Sequence, residues 1–140
     1  MPFPKPHRLT PVVTALTLLG ASLATAAQSP MTAEEFDAYT LGKTLYFYSQ
    51  GEAYGVEEYH DNRRVTWSFL DGQCKEGVWY PQGEQICFVY EDNPTPQCWT
   101  FYNENGGLRA QFAGRDGGTV LYEAGESDEP MMCLGPDVGV

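Results

Sequence analysis

The sequence predicts an all-β fold: about eight antiparallel strands in a meander, closed into a barrel or folded as a sandwich, with a short N-terminal helix and two disulfides. Three observations predict it. From Thr44 onward apolar and polar residues alternate with a period of two rather than 3.6. Turn-forming pairs and triplets interrupt that alternation at near-regular spacing, and no helical stretch is long enough to cover an open sheet. The chain carries an even number of cysteines, Cys74, Cys87, Cys98 and Cys133, with no C-x-x-C pair.

The chain starts with a different kind of segment. Lys5 and Arg8 precede an apolar run over 11–26 that ends in Ala24-Thr25-Ala26. A positive start, a short apolar stretch and an A-x-A site form the pattern of a secretory signal peptide. Residues 1–26 are therefore expected to be removed, leaving a mature chain that begins near Ala27 or Gln28. The run is short for a membrane span, so no membrane insertion is expected after processing. No cysteine follows it directly, as lipid anchoring would require. The expected location is periplasmic or secreted.

Thr32-Ala33-Glu34-Glu35 is a capping box and opens a short helix through about Tyr39, with Phe36 and Tyr39 on one face and Gly42 as its stop. Three strands follow whose register can be set from their turns. Two-residue turns at Gln50-Gly51 and Asp61-Asn62 place Phe47 opposite Tyr54, Leu45 opposite Val56, and Val56 opposite Trp67. Leu45, Phe47, Tyr54, Val56, Val65, Trp67 and Phe69 then share one face. Tyr46, Tyr48, Gly55, Tyr59 and Arg64 lie on the other. A slip of one residue would invert a strand, so the agreement of two turns with one apolar face supports this register.

Further strands are expected at 73–80, 84–90, 97–103, 108–113 and 119–123, joined through turns such as Pro81-Gln82-Gly83 and Asn105-Gly106-Gly107. The β domain is thus expected over 27–123, followed by an acidic tail over 124–140 that bears Pro and Gly. Four cysteines allow three pairings. Cys87 falls opposite Cys98 if Asp92-Asn93 centres the loop, which leaves Cys74 with Cys133 to tie down the tail. On the chain-entropy model these bridges stabilise by roughly 3 and roughly 4 kcal/mol, comparable to the whole stability of a domain this small.

Charge narrows the function classes. The formal net charge is −11, and loss of Lys5 and Arg8 with the leader leaves 6 basic against 19 acidic residues, or −13. That balance excludes nucleic acid and anionic membrane surfaces, which need Lys and Arg. It allows a basic protein partner, a cationic ligand, or simple solubility.

Few residues suggest catalysis. In the register above Glu58 lies on the apolar face near Trp67, where a raised pKa would suit a general acid or base; the simpler reading is a strand-end ion pair with Lys43 or Arg63. Glu76 points inward if Asp71-Gly72 makes a plain two-residue turn. A bulge after Gly72 sends it out and brings Trp79 in, and Trp79 is the better core residue. The acidic loops, such as Glu91-Asp92-Asn93 and Asp116-Gly117-Gly118, match no calcium-site spacing and read as solvated turns. No metal site or cofactor is expected. With His60 the only histidine beyond the leader, no Ser-His-Asp set is available, and no phosphate loop is present. The outward Tyr46, Tyr48 and Tyr59 with Arg64 are either a contact surface or ordinary cross-strand pairs.

The string Gly77-Val78-Trp79, then Ile86-Cys87-Phe88-Val89-Tyr90, then Cys98-Trp99 resembles an uncharacterised family of small exported bacterial β proteins, a domain of unknown function. The likeness runs from about Gly51 to Gly107. The resemblance implies a disulfide-tied β domain in the bacterial envelope and assigns no catalytic residues.

Together these readings give a non-catalytic exported interaction module, such as an acidic inhibitor or accessory subunit for a basic envelope protein. The alternative is a lipocalin-like carrier that holds a small apolar ligand in the barrel, in a cavity lined by Phe47, Tyr54, Glu58, Trp67 and Phe69.

Overall fold

The computed structural model describes residues 1–3, 28–114 and 118–133; the leader from position 4 onward and the end of the tail lie outside the described residues. One helix, α1 (Ala33–Thr40), precedes eight strands: β1 (Thr44–Ser49), β2 (Glu52–Tyr59), β3 (Arg64–Ser68), β4 (Lys75–Gln82), β5 (Gln85–Tyr90), β6 (Asn93–Glu104), β7 (Gly107–Phe112) and β8 (Val120–Ser127). Each strand pairs antiparallel with the next, and β8 pairs back onto β1, closing the barrel. The expected class is therefore the observed one. β8 continues to Ser127, past the expected strand end at Glu123, and its last pair on β1 is Thr44 with Ser127.

The capping box forms as written. The Glu35 amide donates to the Thr32 hydroxyl, and the Thr32 amide donates to the Glu35 carboxylate. α1 then plugs one end of the barrel. Phe36 is fully buried, with ring centroids 4.5 Å from Phe101, 5.2 Å from Trp79 and 5.7 Å from Tyr59. The Met31 amide donates to the Phe101 carbonyl, and the Tyr39 hydroxyl donates to the Glu123 carboxylate at 2.8 Å, with the Gly106 carbonyl 2.9 Å away. The plugged half of the core is completed by Val65, Ile86 and Leu108.

The register of β1 and β3 is as expected, with Leu45, Phe47, Val65 and Trp67 in the core. That of β2 is inverted. The Gln50-Gly51 turn forms with both residues at positive φ and pairs Ser49 with Glu52 and Tyr48 with Ala53. A bulge then intervenes, and Phe47 pairs with Gly55, leaving Tyr54 as the extra residue. The next connection is one residue longer than a two-residue turn. Asn62 and Arg63 both take positive φ, and Tyr59 pairs with Val65. The two shifts cancel by β3. In between, Gly55, Glu57 and Tyr59 face inward where Val56 and Glu58 were expected, while Tyr54, the extra residue of the bulge, still lines the interior as expected.

The physical reason lies at Gly55. A Cβ at this position would overlap the Trp67 indole and crowd the Ser68 carbonyl. The glycine must sit beneath the indole on the inner face, and the bulge brings it there. On β4 the expected irregularity also occurs: Trp67 pairs with Lys75, Thr66 with Glu76, and Trp79 is buried.

Both disulfides form, Cys87–Cys98 between paired strands and Cys74–Cys133 across a separation of 59. Two such bridges indicate an oxidising compartment. Among the described residues no helix is long and apolar enough to cross a membrane. The tail is a strap. It leaves β8 at the plugged end, where the Glu129 carbonyl accepts from the Thr44 hydroxyl. The Met131 amide then donates to Glu58, and Cys133 joins Cys74 beside the start of β4. Val56 and Ser68, paired on the outward side of β2 and β3, are buried as well.

Candidate functional site

The half of the barrel away from α1 is not filled. It encloses a cavity of about 240 Å³ that opens between Phe69, Lys75, Asp92 and Asn93. Phe69 lies just beyond β3 and is half exposed at the rim. The Lys75 ammonium is 2.6 Å from the Asp92 carboxylate and 5.3 Å from the centre of the Phe69 ring. Inside, the wall is mostly aromatic: Phe47 from β1, Tyr54 from β2, Trp67 from β3, Phe88 from β5 and Trp99 from β6. Trp67 lies 6.0 Å from Tyr54 and 5.3 Å from Phe69, centre to centre, while Phe88 and Tyr90 lie parallel at 6.3 Å.

One carboxyl stands in this wall. Glu57 is 4 % exposed. The Tyr90 hydroxyl donates to its Oε1 at 2.8 Å. Burial disfavours the carboxylate and pushes the Glu57 pKa up to about 8, with the Tyr90 and Tyr59 hydroxyls acting in the opposite sense. Burial and the neighbouring carboxyl push the Tyr59 and Tyr90 phenols well above their ordinary value. The Tyr59 hydroxyl, though close enough to influence Glu57, makes no hydrogen bond of ordinary geometry. It is the one buried side-chain nitrogen or oxygen among the described residues without a partner. The group as a whole can donate a proton or a hydrogen bond near neutral pH, and it becomes an anionic acceptor above it.

Of the five residues expected to line a cavity, the structure brings four together: Phe47, Tyr54, Trp67 and Phe69. The fifth is corrected. Glu58 points outward because of the bulge; it receives the Met131 amide at 3.0 Å and lies 3.7 Å from His60 Nδ1. Lys43, its expected partner, pairs with Glu126 instead. The expected outer patch is also reduced. Tyr59 is buried inside the barrel and paired with Val65, again because β2 is inverted. Arg64 begins β3 near the plugged end, while Tyr48 lies near the far end of β1, so the two are not brought together. Tyr46 remains exposed, and Tyr48 stacks on Tyr122 at 5.6 Å.

Glu57, Tyr59 and Tyr90 were not among the expected cavity residues. The signal that finds the first two is the isolated glycine: Gly55 inside a strand pattern marks a bulge, and one bulge there exchanges Glu58 for Glu57. Among the described residues no three of His, Cys, Asp and Glu converge as a metal-ligating set. The Asp116-Gly117-Gly118 loop lies largely outside the described residues. Comparison with known proteins finds no matching family model, curated protein or solved structure.

Proposed function

We propose that this chain is an exported, non-catalytic binding protein that carries one small ligand inside its barrel. The observation that carries this reading is the ring-lined cavity, plugged at one end by α1 and open at the other. An eight-stranded barrel stands at the size where side chains either just fill the interior or leave room for one small ligand. Here about 240 Å³ is left open. An apolar cavity of roughly 150 Å³ suffices to take up benzene. The leader pattern and the two disulfides support export to the periplasm or the exterior.

An interaction module for a basic partner has less to support it. That reading draws on net charge and on an aromatic patch that has lost Tyr59 to the interior.

Toluene tests the carrier reading. Titrated into the mature protein, it should shift the indole signals of Trp67 and Trp99 in nitrogen–proton NMR spectra, saturably. Substitution Ala110→Leu, which fills the cavity wall, should abolish the shift while the protein stays folded. No saturable change at either indole would overturn the proposal.

A further inference from the structure

Resting on the carrier reading, we propose that the ligand belongs to one chemical class: a small amine, cationic at neutral pH, on a body with a single ring. Its ammonium group would pair with the Glu57 carboxylate and reach the Tyr59 hydroxyl, and its ring would lie toward Trp67 and the open end.

Four observations converge on a cation. First, a carboxyl is held inside an aromatic cavity, bonded by the Tyr90 hydroxyl and approached by that of Tyr59, with no lysine or arginine beside it among the lining residues. Buried charges are ordinarily paired. The one cationic side chain in the cavity wall, Lys75, is at the rim and already bonded to Asp92. Second, the Tyr59 hydroxyl is buried and unpartnered, with its acceptor oxygen unused. An ammonium group has three donors and no acceptor, so it can serve the carboxylate and this oxygen together. Third, the cavity is lined mostly by aromatic side chains, whose ring faces attract cations once water is excluded. Fourth, the chain's formal net charge of −11 raises the concentration of cations at its surface. Size sets the body: about 240 Å³ exceeds what benzene needs and accommodates roughly one ring with a short arm.

The groups facing Glu57 fix the pH response. Tyr54 and Tyr59 come from β2 and Tyr90 from β5, and burial raises the Tyr59 and Tyr90 phenols well above their ordinary value. Glu123 on β8, which bears on Tyr59, is occupied by the Tyr39 hydroxyl and the Leu108 amide. Lys75 and Asp92 at the rim neutralise each other. Amine binding must therefore expel the Glu57 proton to solvent when it occurs below the pKa of about 8.

Phenethylamine and its neutral counterpart 2-phenylethanol are the probes, titrated calorimetrically into the native chain and Glu57→Gln. Phenethylamine should bind the native chain at least about tenfold more tightly than the alcohol at pH 8. Its affinity should rise toward tenfold per pH unit between pH 6 and 7.5, with close to one proton released into buffer. Glu57→Gln should erase the preference for the amine and the pH slope; the slope of the native chain is measured without the variant and stands whether or not the variant folds. If both compounds bind and the alcohol equals or exceeds the amine, with no pH slope, the cation assignment fails and the carrier reading survives. If neither compound binds and toluene does not either, both fail.

Discussion

The buried carboxyl makes a quantitative prediction about stability that needs no ligand. The perturbation is Glu57→Gln, which keeps an oxygen for the Tyr90 hydroxyl and removes the titration. The unfolded carboxyl titrates near 4.5 and the folded one near 8. Between those values the folded state holds more protons than the unfolded state, so the contribution of this group to stability falls as pH rises. It is fully present below about pH 4.5 and lost by pH 8, opposite to the usual behaviour of a salt-bridged acid. Integrating from pH 5 to pH 8 with one pKa unit worth about 1.4 kcal/mol gives a loss of roughly 3–4 kcal/mol. The other carboxyls titrate in both proteins, so the difference between native chain and variant isolates Glu57. Urea unfolding at pH 5, 6.5 and 8 with disulfides intact measures that difference. The native chain should be the more stable at pH 5 relative to its standing at pH 8, by that amount. A difference that stays constant with pH, or grows in favour of the native chain, would refute the burial and protonation of Glu57.

Two further predictions follow from the fold. Gly55→Ala forces a methyl group into the Trp67 indole and should cost about 1–3 kcal/mol, as overpacked cores do; an unchanged urea midpoint would remove the stated reason for the bulge. Replacing Cys74 and Cys133 together by serine should cost about 4 kcal/mol, against about 3 for Cys87 and Cys98, since the loops differ in separation, 59 against 11. It should also raise hydrogen exchange at the Met131 amide, which the strap holds on Glu58. The reverse order of the two losses would show that the strap contributes little.

Most of the architecture was legible because strands, turns and cysteines are local signals. The eight strands, the capped helix and the pairing of Cys87 with Cys98 each follow from residues within about a dozen positions of one another. The plug was not legible: Phe36 meets Trp79, Phe88 and Phe101, residues far off in sequence that no local pattern links to it. The rings of the site from β1 to β3 were legible; its acid and the two tyrosines around it, Tyr59 and Tyr90, were not. Turn residues set the register at the turn, and they carry no information about a bulge four residues further on. Glu57 and Glu58 are adjacent and chemically alike, so only the facing of β2 distinguishes them. That facing is decided by a tertiary contact, Trp67 over Gly55. Val56 misled for a related reason. It is apolar and buried, as a core residue would be, but it lies on the outward side of the strand, between inward Gly55 and Glu57.

The same one-residue choice links stability to the site. Two adjacent acids do opposite things. Glu58, outside, anchors the strap through the Met131 amide, and Glu57, inside, stands in the cavity. A slipped β2 would bury Glu58, lift the strap from its carboxylate and drive the residue 55 backbone away from the indole that covers it. Both faces of the strand therefore oppose the slip, and the acid inside is held there by contacts that make no use of its own charge. Simple packing does not require an acid at that position: a Gln would satisfy the strand and keep an acceptor for the Tyr90 hydroxyl, while burial of the carboxyl destabilises the folded protein increasingly toward pH 8. A group whose position is enforced from both sides and whose ionisation opposes folding is best accounted for by something that enters from the open end and supplies the missing positive charge.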